Sequence, residues 1–246
     1  YKRLHDEVTD TFVRKQTPSR TTLHGEYAQQ DRIAYIERGS LSLGDEREVR
    51  FPELTIAPRD QIGIIGQNGI GKSTLIRHLV EHIAVPRDRL VYIPQEIDSG
   101  RAHRILSAVR EMPKAMRGEA FGYVACLGSD VRRLLETEMP SPGELRKLTL
   151  ALGMIKTPYL VVMDEPTNHL DLPSIKALEK TLSACNCALI LVSHDLRFLR
   201  KLVTAIWHLT PVNTDDTPGS GELHIGPLES FLQHKNRGSG SLSAPE

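Results

Sequence analysis

The sequence predicts an α/β fold in which helices cover both faces of a mostly parallel sheet. Three short, fully apolar runs point to this fold, at residues 62–65, 160–163 and 188–192. Segments with helical spacing of apolar residues alternate with these runs, and short loops join the two kinds of segment. Strands that are buried on both faces have this continuous apolar character, and their alternation with helices is typical of parallel sheets.

The order of the other segments predicts one domain, at 31–234, with two additions to its core. Residues 33–57 alternate apolar and polar side chains between glycine and proline turns, which predicts an N-terminal antiparallel β subdomain. The segment at about 98–145 has helical spacing and no strand-like run, which predicts a small helical subdomain. A linker or partly disordered segment is expected at 1–30, and a disordered tail at 235–246.

The same periodicities predict where the core elements begin and end. We expect strands at 62–65, 90–93, 160–163 and 188–192, helices at 73–82, 145–155 and 174–184, and a loop at 211–222.

The composition excludes several classes of protein. The 246 residues carry 31 Lys and Arg against 31 Asp and Glu, so bulk positive charge is not available to hold nucleic acid. The apolar runs are far shorter than the roughly 20 residues that a membrane helix needs, so no direct membrane insertion is expected. Three cysteines give no disulfide framework, and together with the lack of a signal peptide they favour a cytoplasmic location.

A glycine-rich turn after the first apolar run predicts a phosphate-binding loop. Residues 66–73 fit the pattern G-x-x-x-x-G-K-S between a strand and a helix. In such a loop the backbone N–H groups and the helix N-terminus surround phosphate oxygens, while the lysine lies between two phosphates and the serine hydroxyl reaches Mg²⁺. The predicted nucleotide-binding residues are Gly66, Gln67, Asn68, Gly69, Gly71, Lys72, Ser73 and Thr74.

Polar side chains follow three other predicted strands. Asp164 and Glu165 end one of them, and Gln95 and His194 each lie two residues after the end of another. Parallel strands bring their carboxyl ends to one edge of a sheet. Asp164 is therefore predicted to hold Mg²⁺ together with Ser73, and Gln95 is predicted to bind Mg²⁺ or the attacking water. Glu165 is the candidate general base toward a water, and His194 is the candidate contact to the γ-phosphate.

These motifs occur in the order found in a nucleotide-binding domain of the ATP-binding-cassette (ABC) family, which the chain resembles over roughly residues 33–232. Residues 141–144, Ser-Pro-Gly-Glu, resemble the family signature, and residues 164–171, Asp-Glu-Pro-Thr-Asn-His-Leu-Asp, resemble the D-loop region of the F subfamily. The resemblance implies a P-loop NTPase cassette that binds ATP and Mg²⁺ and hydrolyses ATP. F-subfamily proteins are soluble, carry two cassettes, and in many cases act on ribosomes as translation factors or antibiotic-resistance proteins.

The resemblance also implies that one cassette forms only half of each site. In the family the nucleotide lies between the P-loop of one cassette and the signature of the other. Ser141, Gly143 and Glu144 would therefore act in trans, and Asp171 would cross the same interface. The expected partners are a second cassette and the ribosome with its rRNA. The chain opens on Tyr1 instead of Met, which favours its being the second cassette of a tandem protein.

Two positions depart from the family pattern. Pro142 replaces a glycine of the signature, and it has no backbone N–H to donate. Leu43 aligns near the aromatic residue that usually stacks on adenine, so Tyr35 or Phe51 is the alternative source of a ring.

Two other functions stay open at the level of the sequence. The chain could be the nucleotide-binding subunit of an ABC membrane transporter, although transport cassettes usually have Ser-Ala-Leu-Asp where residues 168–171 are Asn-His-Leu-Asp. It could also be a non-hydrolysing interaction module, as Pro142 and Leu43 suggest, although Glu165 and His194 favour hydrolysis.

Residues 101–147 carry nine basic and six acidic side chains, a modest surplus of positive charge that could face RNA.

Overall fold

The structure is a computed structural model, and it describes residues 25–137, 139–212 and 219–238. These residues divide into two compact units. We call residues 28–85 and 188–238 the P-loop unit, and residues 25–27 and 86–187 the carboxylate unit.

The described residues form short strands and helices in alternation. The strands are β1 (Ala34–Ile36), β2 (Gly39–Gly44), β3 (Arg47–Phe51), β4 (Leu54–Ile56), β5 (Gln61–Gly66), β6 (Leu90–Ile93), β7 (Leu160–Asp164), β8 (Ala188–Val192), β9 (Ala205–Val212) and β10 (Ser220–Pro227). The helices are α1 (Lys72–Glu81), α2 (Ser99–Glu111), α3 (Lys114–Cys126), α4 (Val131–Glu136), α5 (Pro142–Met154), α6 (Leu172–Ser183), α7 (Leu196–Leu202) and α8 (Leu228–Gly238), with a 3₁₀ turn at Arg87–Arg89.

The P-loop unit is built on a six-stranded sheet in the order β2-β3-β10-β9-β5-β8. Its centre is parallel, because β5 runs parallel to both β8 and β9, and the pairing aligns Ile64 with Val192 and with Trp207. The predicted N-terminal antiparallel strands are present as well, since β2 pairs antiparallel with β3 and β1 pairs antiparallel with β4. The predicted α/β fold is thus confirmed. Because β5 and β8 run parallel, their carboxyl ends lie at the same edge of the sheet, which brings Gly66 and Ser193 to that edge.

The carboxylate unit contains the parallel pair β6 and β7 together with helices α2 to α6. All five residues of β7 are buried. The pairing aligns Ile93 with Met163, so that Gln95 and the two acids 164 and 165 follow at one edge. The helices predicted within 98–145 are α2, α3, α4 and the first turn of α5.

The predicted helix starts are late by one to three residues. The observed helices begin at Lys72, Pro142 and Leu172, whereas the apolar periodicity predicted starts at 73, 145 and 174. Periodicity begins with the first apolar residue of the buried face, but a helix begins at its cap. Helix caps are supplied by the side chains of Asp98, Asp130, Ser141, Asp171 and Asp195, each of which accepts a backbone N–H of its own first turn.

The predicted boundaries near the C-terminus differ from the observed ones. The loop expected at 211–222 is wrong at both ends, because β9 extends to Val212 and β10 begins at Ser220, where the two strands pair antiparallel. Residues 213–218 lie outside the described ranges. Helix α8 includes residues 235–238, which were predicted to belong to the disordered tail. The rest of the tail and residues 1–24 of the linker also lie outside the described ranges.

Among the helices that are described, none combines the length and the apolar character needed to cross a membrane.

The packing of α5 on β6 generates a prediction for two helical glycines. A glycine-to-alanine change inside a helix usually stabilises a protein by roughly 0.5–1 kcal/mol. At Gly153 of α5, however, a Cβ would lie 2.3 Å from Cγ2 of Val91, so we expect Gly153→Ala to lower the free energy of unfolding by about 1–3 kcal/mol.

The matched control is Gly122→Ala in α3, where a Cβ would meet no atom within 4 Å and the usual gain is expected. Urea unfolding of both variants measures the difference. The double variant Gly153→Ala, Val91→Ala should lose less free energy of unfolding than the sum of the losses in the two single variants, because the smaller side chain at 91 leaves room for the new methyl group. Equal stability of the two glycine variants would contradict the close packing of α5 on β6.

Candidate functional site

The loop between β5 and α1 has a backbone that only glycine can adopt at two positions. Gly71 caps α1 with φ 104°, and a Cβ there would lie 2.5 Å from Cγ2 of Val49. Gly66 has φ 155°, and a Cβ there would lie 2.8 Å from the carbonyl oxygen of Leu209. The first turn of α1 therefore starts directly from a curled loop, the arrangement that exposes backbone N–H groups to an anion.

Lys72 is only 8% exposed, and its ammonium lies inside this loop. It donates to the carbonyl oxygens of Gly66 at 2.8 Å and of Gln67 at 2.9 Å, and it lies 3.1 Å from Nε2 of His194. Within the P-loop unit, Lys72 and His194 are thus brought side by side, as the strand order predicted.

The other loop residues divide by exposure. Gln67, Asn68 and Gly69 are exposed at the tip of the loop, and Ser73 is half-buried. The hydroxyl of Thr74 accepts a hydrogen bond from Nη2 of Arg77 at 3.4 Å. The tip therefore presents backbone and amide groups, while the hydroxyls lie on the first turn of α1.

Leu43 is the base-stacking candidate that contacts the loop. Its Cδ2 lies 2.9 Å from the place a Cβ of Gly71 would take. Phe51 is only 5% exposed and its ring lies 5.8 Å from that of His78, so it belongs to the core. Tyr35 is exposed and lies in the two-stranded sheet of β1 and β4.

In the carboxylate unit the two acids that end β7 are both buried, Asp164 at 3% and Glu165 at 7% exposure. Glu165 has φ 49°, a left-handed conformation that costs a non-glycine residue roughly 1–3 kcal/mol. Such strain persists where the surrounding contacts fix it, and it is most common at functional sites. Positive φ values also occur at Asp45, Glu46, Thr157 and His169, so the conformation alone does not single out Glu165.

Arg146 binds the backbone of the segment after β7 and of the segment after β6, although no sequence motif indicated it. Its Nη1 donates to the carbonyl oxygens of Glu165 at 2.6 Å and Asn168 at 3.2 Å, and its Nη2 donates to that of Gln95. Burial lowers the pKa of Arg146, while the nearby carboxylates of Asp164, then of Glu165, act in the opposite direction. The only sign of Arg146 in the sequence is a basic residue next to Leu145 in a helix that is otherwise rich in leucine.

The signature segment is the N-terminus of α5. Ser141 caps the helix by accepting the N–H of Glu144 at 3.3 Å, which gives the S-x-x-E pattern of a capping box. Pro142 occupies the first helical turn, where its missing N–H is not needed. The departure at this position is therefore compatible with the helix. The Glu144 carboxylate lies 3.6 Å from the ammonium of Lys147.

Gly143 lies against the loop that precedes α6. A Cβ at this glycine would lie 2.6 Å from the carbonyl oxygen of His169 and 3.3 Å from Cδ2 of Leu170. Asp171 ends that loop and accepts the N–H of Ser174 at 2.9 Å. Hydrogen bonds from the Ser174 hydroxyl first, and then from its N–H, lower the pKa of the Asp171 carboxyl. The signature segment and the D-loop segment are thus in direct contact within the carboxylate unit.

The chemistry of the predicted metal ligands fits Mg²⁺. They are the hydroxyl of Ser73 in the P-loop unit, and the Gln95 amide and Asp164 carboxylate in the carboxylate unit. All are oxygen donors, which Mg²⁺ prefers, and a Mg²⁺ bound with phosphates needs only one or two protein carboxylates. Within the described ranges, no group of three or more His, Cys, Asp and Glu side chains could hold a metal by itself.

Comparison with known proteins gives concordant matches. Residues 49–119 match the sequence profile of the family described as ABC transporter. The ribosome protection protein VmlR of Bacillus subtilis is 32% identical over 184 residues, which cover 72% of this chain and 31% of VmlR. The zinc import ATP-binding protein ZnuC of Paracoccus denitrificans is 32% identical over 170 residues, covering 62% of this chain and 66% of ZnuC. The chain spans about a third of the length of several curated relatives.

A solved structure, RNase-L Inhibitor, shares the fold. It has a TM-score of 0.62 at 18% sequence identity, and the match covers 86% of this chain and 43% of that protein.

The contact of Gly143 with a backbone oxygen generates a prediction. We expect Gly143→Ala to lower the free energy of unfolding by about 1–3 kcal/mol, because a carbonyl oxygen cannot rotate away as a side chain can. The neighbouring Pro142→Ala is the control, since Pro142 is exposed and its loss mainly frees the unfolded chain, at a cost of about 0.4–1 kcal/mol. Urea unfolding measures both. A Gly143→Ala variant as stable as the control would show that the signature segment is not packed against the loop at 168–171.

Proposed function

Because the chain belongs to the ATP-binding-cassette family, we propose that it binds MgATP and hydrolyses it together with a second cassette. The observation that carries the proposal is the ammonium of the buried Lys72, held by two carbonyls of the glycine-rich loop and adjacent to His194. A lysine is not expected to be buried on carbonyls unless the site requires its charge there.

In the proposed reaction, the loop binds the phosphates. Its N–H groups and the N-terminus of α1 provide partial positive charge, and Lys72 provides a full one. Ser73, Gln95 and Asp164 would hold Mg²⁺, which neutralises charge on the phosphates. The same residues orient the terminal phosphate, so that their main contribution is positioning and electrostatic stabilisation.

Glu165 is the proposed general base. Its carboxylate would orient a water and accept its proton as the water attacks the γ-phosphorus in line. The bond from the γ-phosphorus to the β–γ bridging oxygen would break, and ADP would leave with that oxygen. The left-handed backbone of Glu165, held by the hydrogen bond from Arg146 to its carbonyl oxygen, supports this role. His194 would donate to the γ-phosphate, and its contact with Lys72 supports its place next to the phosphate-binding loop.

A second cassette is the proposed partner for the signature segment. Ser141, Gly143 and Glu144 lie at the N-terminus of a 13-residue helix, which favours an anion, and Asp171 lies in the adjoining loop. Ser141 and Asp171 are exposed and thus accessible to another chain. One cassette then contributes to two sites and completes neither.

For the wider role, we favour an action at the ribosome. It is supported by the D-loop sequence at 168–171 and by the similarity to a protein whose name records ribosome protection. A subunit of a membrane transporter is the second candidate, and the similarity to a zinc import ATP-binding protein supports it.

The proposed chemistry predicts different effects for two variants. Glu165→Gln should lower the rate of phosphate release by about 10²–10⁴-fold while ATP binding is retained, because only the proton acceptor is lost. Lys72→Ala should lose ATP binding, because the charge facing the phosphates is gone. Phosphate release and binding of a fluorescent ATP analogue, both measured on the assembled two-cassette protein, separate the two effects. Unchanged turnover in the Glu165→Gln variant would exclude Glu165 as the base.

Cellular fractionation separates the two wider roles. Full-length protein carrying Glu165→Gln should retain ATP and sediment with ribosomes through a sucrose cushion when ATP is present. The Lys72→Ala variant is the control and should stay in the supernatant. Recovery of the Glu165→Gln protein only with membranes would exclude the ribosomal role and favour the transporter subunit.

A further inference from the structure

Arg146 lies in the second turn of α5 and is only 3% exposed. Together with Leu127, Leu150, Met163, Pro166 and Leu170 it lines a small and mainly apolar cavity of the carboxylate unit. A guanidinium in such surroundings needs hydrogen-bond acceptors, because burying an unpaired charge is very costly.

The acceptors that Arg146 uses are backbone carbonyls from two different segments. Nη1 binds the loop after β7, at Glu165 and Asn168, and Nη2 binds the segment after β6, at Gln95. The planar guanidinium holds its N–H groups in a fixed fork, so these contacts set the distance and the angle between the two segments. Arg146 therefore acts as a clamp on both.

The two clamped segments carry the side chains on which the proposed hydrolysis depends. Glu165 would accept the proton from water, and Gln95 would bind Mg²⁺ or water. The left-handed backbone of Glu165 is unfavourable by itself, and the hydrogen bond to its carbonyl oxygen is one of the contacts that hold it. The Glu165 carbonyl also accepts the N–H of Asn168 at 3.2 Å, which closes the turn.

A second arginine forms a comparable clamp at the opposite end of the same two strands. Arg89 precedes β6, and its Nη1 donates to the carbonyl oxygens of Lys156 at 3.0 Å and Thr157 at 2.6 Å, which precede β7. Its guanidinium also lies 4.8 Å from the ring centre of Tyr159. The segments it joins carry none of the proposed nucleotide or metal ligands. Arg89 is thus a natural control for Arg146.

We propose that Arg146 is a positioning residue for ATP hydrolysis, which holds Glu165 and Gln95 in their working orientation and connects them to the signature helix α5. The inference rests on the proposed function. Because α5 begins with the signature segment, Arg146 is also a direct link between the end of the cassette that faces the second cassette and the base that acts on its own nucleotide.

The test compares Arg146→Gln, Arg146→Lys and Arg89→Gln in the assembled two-cassette protein. For both Arg146 variants we expect kcat to fall between about ten-fold and a hundred-fold, since a displacement of the base by about 1 Å is enough for such a loss. The affinity for a fluorescent ATP analogue should stay within about three-fold, because the P-loop is untouched. Arg146→Lys keeps the charge but not the fork, and should recover only part of the rate.

Hydrogen exchange of backbone amides adds a readout that does not depend on turnover. In the Arg146 variants we expect faster exchange in peptides that contain residues 95–98 and 165–170. Arg89→Gln should lower the melting temperature but leave kcat and the exchange of those peptides near the wild-type values.

Three outcomes would overturn the proposal: a kcat within two-fold of wild type in Arg146→Gln, unchanged exchange in both segments, or an equal loss of kcat in Arg89→Gln. If wild-type protein releases no more phosphate than a Lys72→Ala variant, the proposed function itself fails. The exchange measurement would still decide whether Arg146 clamps the two segments.

Discussion

Helix α5 lies so close to its neighbours that two of its glycines leave no room for a methyl group, and the carboxylate unit depends on this packing. At one end Gly153 contacts Val91 of β6, and at the other Gly143 contacts the carbonyl oxygen of His169. Arg146 lies between the two contacts and binds the segments after β6 and β7. Packing and hydrogen bonding therefore act on the same helix, and a shift of α5 would move the signature segment and the buried acids together.

Both units place a buried cation on backbone carbonyls. Lys72 is held by the loop that it follows, and Arg146 is held by two segments that are distant in sequence. A carbonyl carries only a partial charge, so it satisfies the cation without neutralising it, and a hydrogen bond to a phosphate would be stronger. At Lys72, the carbonyls leave the positive charge of the ammonium available to bind an anion. In Arg146 it stabilises the unfavourable backbone of Glu165, for which no local sequence preference exists.

Most of the core elements follow from local patterns. The strands β5 to β8 appear where continuous apolar runs predict them, because burial on both faces leaves that pattern in any sequence. Helix starts were predicted late at Pro142 and Leu172, since the capping side chains Ser141 and Asp171 precede the first buried residue. The loop predicted at 211–222 was wrong because its proline, glycine and aspartate residues are typical of turns. In the structure Pro211 pairs antiparallel with Gly221, and no local pattern in the sequence shows this contact.

The sequence by itself determined the phosphate-binding loop, the two acids at the end of β7 and His194 after β8, because each is a short motif next to a strand. The tertiary structure alone decided that Gly143 is required for close packing, that Leu43 contacts the loop in place of Phe51, and that Arg146 is buried. These are contacts between segments far apart in the chain, and Arg146 shows the reason most clearly. Its partners are backbone carbonyls, which every residue carries, so no residue type in the sequence reveals them.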